Sequence, residues 1–264
     1  MTDFNLPDAL RRRGVRRRVV LPGVDATAAQ EASLRALVAR PVRHWGQGRA
    51  GIQEAYTRAR SLSSAAVIEG ELMRLDRDAG RLLQAMNPDI ERWVDQYEAY
   101  QRNRWAAQVQ ASARIDIAPF MSADDVRPVL EAATRRSAGL IKGLSDEMEK
   151  KISTAVWDAY ADGKGVSALA RDLREAVDFA PSRARLIARD QTGTLSAEIN
   201  RVRHEQADIE RFEWSASMDD RTREDHADLN GKVFEYANPP SEGLPGFPIN
   251  CRCVARPVLE PAED

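Results

Sequence analysis

The feature that most constrains this chain is a change of character after Asp208. Upstream, apolar residues recur at three- and four-residue spacing, the mark of amphipathic helices. Downstream, "RFEWSAS" (211–217) and "GKVFEYA" (231–237) alternate as short strands do, and "CRCVARPVL" (251–259) is a candidate third strand. Prolines and glycines crowd the connections, above all in "NPPSEGLPGFP", and no long helix can run through such a segment. The expected fold class is therefore a mainly α-helical body with a small C-terminal α+β module of short strands.

Composition agrees. Among 264 residues, 43% are hydrophobic and 30% charged, while aromatics make up only 6%. Runs of Ala, Leu, Arg and Glu favour helix. The net charge of −2 hides an uneven distribution: residues 1–60 carry 12 Arg against 5 acids, a local charge of +7, which leaves −9 for the remainder. No stretch of about 18 apolar residues is present, so no membrane partner is expected. The basic start, "RRRGVRRRVVLPGV", is followed by too few apolar residues before Pro22 to make a signal-peptide core. Two cysteines give no disulfide framework and fit a reducing cytoplasm.

Five regions are expected. Residues 1–27, with Pro7, Gly14, Pro22 and Gly23, lack helical periodicity and read as an extended or disordered basic arm. It carries Arg11, Arg12, Arg13, Arg16, Arg17 and Arg18, which suit contact with nucleic acid or an acidic protein surface, or a solvated tail. Residues 28–120 form an N-terminal helical region. Here "PVRHWGQGRAG" (41–51) breaks the pattern with three glycines, and Asn87-Pro88 separates helices over 52–86 and 89–114. His44 reads as a loop or packing residue. Trp93, Tyr97, Tyr100 and Trp105 form a helix stripe facing a core or a partner. After "APFMSADD", residues 121–209 form a second helical region, with Asp124 or Asp125 capping a helix that holds Pro128 in its first turn. "DGKG" (162–165) ends that helix and Ser167 caps the next. A further long helix opens at Ser182, with His204 a surface or helix-end residue. The β-rich module spans 210–259, and 260–264 is a tail.

The stretch "SRARLIARDQTGTLSAEINRVRHEQADIERFEWSASMDDRTREDHADLNGKVF…NPP…FPINCRC" resembles the phage Mu F-like head morphogenesis proteins, also called minor head or minor capsid proteins, over about residues 140–258. The resemblance rests on the "LIARDQT" helix, the approach from Trp214 to Asp220, "DDRTR", His226, Gly231, Pro239-Pro240 and the closing "NCRC". It implies a virion component that acts in head assembly, binding the portal protein or the major capsid protein on the inner capsid surface. Packaged double-stranded DNA is a further partner, through the basic arm. The implied location is the head, interior or portal-proximal, with the host cytoplasm during assembly. Many members carry two cysteines after "RT" and a histidine shortly before the closing Cys-x-Cys. Here Arg223 stands at the first cysteine, His226 at the second, and Pro248 where the histidine often falls.

His226, Cys251 and Cys253 thus remain as a candidate zinc set, one short of a closed tetrahedral site. Asp219, Asp220 or Asp225 are each candidates for a fourth ligand, and spacing does not choose among them. On a strand, Cys251 and Cys253 face the same side, with Cα atoms about 6.5–7 Å apart, at or beyond the comfortable limit for a disulfide. The same residues also suit a metal-free module in which His226 and the thiols pack and hydrogen-bond. Asp219, Asp220, Arg221 and Thr222 read as a structural polar turn, with the aspartates binding turn N–H groups and Arg221 bridging carboxylates. The competing enzymatic reading is a metal-dependent nuclease or DNA-processing factor using Asp219, Asp220 and His226 with Asn230 and Asn250. It lacks a second histidine, and the expectation is a non-enzyme. A third reading is a toxin-delivery module, against which the chain stops shortly after Cys253.

Overall fold

The computed structural model describes residues 4–260, so residues 261–264 of the expected tail lie outside it. The chain divides into two compact units. One comprises the residues up to Glu31, Trp93–Ala133 and those from Arg189 onward; the other comprises Ala32–Arg92 and Thr134–Ala188. Each is thus assembled from segments far apart in sequence, cutting across the consecutive helical regions 28–120 and 121–209. Among the described residues no helix is long and apolar enough to cross a membrane.

Five helices supply most of the body: α2 (Ala28–Leu62), α3 (Ala66–Ala113), α4 (Arg127–Ala161), α5 (Val166–Val177) and α6 (Ala180–Gln206). The start of α2 is a reciprocal capping box: the Thr27 hydroxyl accepts from the Gln30 N–H at 3.3 Å, and the Gln30 carboxamide oxygen accepts from the Thr27 N–H at 2.8 Å. In the second unit the Trp45 indole donates to Ser145 Oγ at 2.9 Å. The Tyr56 hydroxyl lies within hydrogen-bonding distance of the Ala159 and Lys164 carbonyls. Leu144, Met148, Ile152 and Val156 line the buried face of α4, and Leu169 and Leu173 that of α5.

Two expected helix breaks are absent. Helix α2 runs through Pro41 and the three glycines, and α3 runs through Pro88. A proline removes one N–H and clashes with one carbonyl; over 35- and 48-residue helices that local cost is outweighed by the burial the helices gain. Gly48 serves close packing instead of chain reversal, since a Cβ there would come within 2.7 Å of the Leu75 side chain. His44 packs as expected, with Nε2 at 2.9 Å from the Leu75 carbonyl. Helix α5 has Gly165, not Ser167, at its N-cap.

In the first unit, residues 6–24 are not an extended or disordered arm. Leu6–Arg12 forms helix α1, capped by the Asn5 side chain, and Leu6 and Leu10 are fully buried. Val19–Val20 forms strand β1, which pairs antiparallel with β4 (Val254–Leu259). Strands β2 (Arg211–Ser215) and β3 (Val233–Glu235) complete a sheet of order β1-β4-β2-β3. Leu6, Leu10, Leu21 and Val24 join Trp105, Val109, Ile209 and Leu259 in one core cluster. The pairing partner of the basic segment lies about 240 residues away in sequence, so local periodicity carries no sign of it.

His204, expected at a surface or helix end, is in the last turn of α6 but only 1% exposed, between Trp105 and Tyr236. Nearby, Arg203 is buried with Glu98 at 2.8 Å and also reaches Asp125 at 3.0 Å. The last of these residues sits in the 3₁₀ turn Asp124–Val126 that leads directly into α4.

Candidate metal centre

The sheet register sets the centre. Trp214 on β2 lies opposite Ala255 on β4, so Cys253, two residues earlier on the same face, is its diagonal neighbour. Phe212, Trp214, Cys251, Cys253 and Ala255 form one buried cluster. The loop before the cysteines is held in place. The Cys251 N–H donates to the Pro248 carbonyl at 2.9 Å, and the Asn250 N–H donates to Asp190 Oδ1 on α6 at 2.7 Å. Gly246, at φ +86°, passes so close to α6 that a Cβ would meet the Ala197 Cβ at 2.7 Å; only glycine fits both demands.

Helix α7 (Glu224–Asp228) brings in His226. Its ring stands edge-on to Trp214, with centroids 5.2 Å apart at 82°. Its Nδ1 is 3.5 Å from Cys251 Sγ and 3.5 Å from Cys253 Sγ. All three residues are buried, and their ligand atoms lie within 4.8 Å of one another. A tetrahedral zinc ion with Zn–S about 2.3 Å and Zn–N about 2.0–2.1 Å requires N···S separations of about 3.5 Å. The donor set and its spacing fit zinc. Among the described residues no other group of three or more His, Cys, Asp or Glu side chains converges in this way. Asp219, Asp220 and Asp225, the candidates for a fourth ligand, do not join the set.

The two thiols share their protons unequally. The Cys251 thiol is pushed well below its ordinary value, first by the hydrogen bond from the Cys253 thiol, then by the Cys253 and Gly246 N–H groups and by His226. That same Cys251 thiolate, with burial, pushes the Cys253 thiol up; the Trp214 indole N–H and the Ser217 N–H act in the opposite sense. One thiolate is thus already favoured, and a dication between the sulfurs would favour the second. A cavity of about 300 Å³ borders the Cys251–Ala255 segment, which leads into β4, and Thr192, Ser196 and Asn200 of α6.

The polar turn is centred on Asp219. Its carboxylate accepts from the Arg221 N–H at 3.1 Å and from the Thr222 hydroxyl at 3.3 Å, and Thr222 Oγ1 accepts from the Asp219 N–H at 3.1 Å. The arginine paired with Asp219 is Arg252, between the two cysteines, and not Arg221; it binds this one carboxylate instead of bridging two, and holds that carboxyl below the usual carboxylate range. Asp220 and Arg221 are exposed. Asp219 and Asp220 therefore do not converge with His226, whose Nδ1 faces sulfur. Of the basic residues, all exposed, Arg11 and Arg12 pair with Asp8, Arg13 donates to the Arg114 carbonyl and Arg18 lies 3.9 Å from Glu213. Trp214 and the His204–Tyr236 pair were not expected at functional or buried polar positions. The alternation of Phe212 and Trp214 in "RFEWS" is the signal that places the tryptophan on the buried face.

Residues 150–256 match the family described as Phage Mu protein F like protein. An uncharacterized protein of Haemophilus influenzae is 34% identical over 170 residues, covering 64% of this chain and 38% of its own length. A protein of Enterococcus faecalis named NAD(+)--arginine ADP-ribosyltransferase EFV is 23% identical over 226 residues, covering 76% of this chain and 46% of its own length. The chain thus spans less than half the length of these curated relatives. No solved structure matches it significantly. The matched segment runs from the second half of α4 to β4 and contains His226 and both cysteines, so residues 150–256 of this chain are similar to the Phage Mu protein F-like family.

Proposed function

We propose that this chain acts in bacteriophage head morphogenesis as a minor capsid component of the virion, not as an enzyme. The observation that carries this reading is the family match over residues 150–256. In the proposal the protein binds the portal or the inner capsid surface, and the module over 210–259 is a zinc-stabilised docking element with His226, Cys251 and Cys253 as ligands. The cation would add folding free energy to a module whose own core is small. The Arg11–Arg18 segment would meet packaged DNA or an acidic face of a shell protein from an ordered helix and turn.

A nuclease reading requires carboxylates and a histidine gathered on one metal-bound water. Asp219 is tied to Arg252, and His226 is turned toward two thiols, which favours the structural assignment.

The test has two arms. Deleting the gene from the phage that carries it should leave particles that fail in assembly, packaging or infection, and tagged protein should sediment with heads. Normal infectious particles without the chain would overturn the assembly role. For the metal, elemental analysis of the purified chain should give about one zinc per molecule, and chelator should lower the melting temperature. A metal-free protein indifferent to both chelator and added zinc would remove the zinc site and leave assembly untouched.

A further inference from the structure

We propose that the Trp214 indole N–H donates a hydrogen bond to the Cys253 sulfur of a metal–thiolate centre, making Trp214 a positioning residue for the ion. The inference rests on the metal reading of His226, Cys251 and Cys253. It adds a residue outside the ligand set and a definite role for it.

Four observations converge. Trp214 is 0% exposed, yet its Nε1 has no hydrogen-bond partner among the described residues. An indole N–H can only donate, and a buried donor left unpaired costs about 1–3 kcal/mol. The other deeply buried tryptophan for comparison, Trp45, has its N–H satisfied by Ser145 Oγ at 2.9 Å. The register that pairs Trp214 with Ala255 puts Cys253 one diagonal away, and the two side chains belong to the same buried cluster. The flank of the same indole ring also fixes His226 by the edge-on contact at 5.2 Å. One side chain therefore addresses two of the three ligands, one through its N–H and one through its π face.

Sulfur accepts weakly while it is a thiol and well once it is a thiolate, because charge strengthens the bond. With two thiolates on one dication, a donor to Cys253 draws off part of the sulfur charge and fixes the direction of its lone pairs. Partners of this kind around a metal site typically change affinity by about 10- to 100-fold when removed.

The full chain loaded with ¹¹³Cd, a thiophilic stand-in for zinc, provides the test. The ¹⁵N-labelled Trp214 indole proton should show scalar coupling to ¹¹³Cd, transmitted through the Cys253 sulfur, and Trp214→Phe should weaken cadmium binding about tenfold. Phenylalanine retains an aromatic face for His226 but has no N–H. Trp45→Phe, which removes an indole N–H far from any candidate ligand in sequence, should leave cadmium affinity unchanged. Stoichiometric binding with no coupling at the Trp214 proton overturns the inference while the metal site stands. So does a Trp214→Phe chain that binds as tightly as the parent. Failure of the parent chain to bind cadmium or zinc overturns the metal reading and this inference together. Should Trp214→Phe fail to fold, the coupling in the parent chain decides the matter alone.

Discussion

The His204 Nδ1 and the Tyr236 hydroxyl meet at 2.5 Å inside the first unit, joining the last turn of α6 to the segment after β3. Burial pushes the His204 imidazole down to about 3 and the Tyr236 hydroxyl up beyond its usual range. The ring is therefore neutral and the phenol protonated, so the hydroxyl donates and Nδ1 accepts. In the unfolded chain the same histidine titrates near 6.5. Because the folded value is the lower one, the stabilising contribution is complete above about pH 6.5 and is lost as pH falls toward 3.

Between pH 7 and pH 5 the loss from this one residue should be about 2 kcal/mol. Urea denaturation of the parent and of His204→Gln at several pH values isolates it. Gln cannot take up the proton, so its stability should fall less steeply over that interval. Parallel curves would show that His204 is not held neutral by the fold.

Arg203 and Glu98 form a buried ion pair, 3% and 2% exposed, with Arg102 3.2 Å from the same carboxylate. Removing Arg203 leaves Glu98 short of compensation and frees Asp125 and the Ser122 carbonyl. Arg203→Met should cost about 3 kcal/mol in chemical denaturation, and Arg203→Met with Glu98→Met less than the sum of the two single changes. Additive losses would show that the pair is not coupled.

How much of this was legible in the sequence depends on the range of the interaction. The helical periodicity that predicts Leu144, Met148, Ile152 and Val156 on one face holds in the fold, as does the alternation behind β2, whereas β3 keeps only Val233–Glu235 and does not alternate in burial. The donor set His226, Cys251 and Cys253 was readable from residue type, but its backbone was not: both cysteines lie just before β4, following the turn at Pro248, and not on the strand expected over 251–259. What was not readable depends on distant partners: Val19 against Leu259, His204 under Tyr236, and Arg252 in place of Arg221 as the partner of Asp219. Prolines and glycines misled for the opposite reason. Their local preferences disfavour helix interiors, but Pro41, Pro88 and Gly48 sit in helices whose burial overrides them.

Glycines in the helices give a direct check on that last point. A Cβ at Gly80 would meet nothing within 4 Å, whereas one at Gly48 would come within 2.7 Å of Leu75. Gly80→Ala should therefore stabilise the protein by about 1 kcal/mol through helix propensity alone. Gly48→Val should destabilise it by about 2 kcal/mol, because Leu75 is buried and has little room to yield. Thermal or urea melts of the two variants in parallel read the contrast. A stabilising Gly48→Val would mean that the close packing of α2 on α3 at this point is not tight.

Asp219 and Asp220 are adjacent in sequence and both exposed. Asp219 ties the turn to Arg252, between the two cysteines, and caps the Arg221 and Thr222 donors. A structural turn predicts that Asp219→Ala lowers the melting temperature and speeds proteolysis between 217 and 224, and that Asp220→Ala changes neither. It further predicts that Asp220→Ala supports head assembly as well as the parent does. An enzyme that used both carboxylates on one metal would show the reverse pattern for Asp220: folding intact and function lost. Measuring the stability of each variant beside its performance in assembly therefore separates a turn that holds the β-rich module from a catalytic pair, and the ion pair from Asp219 to Arg252 places the expected result with the turn.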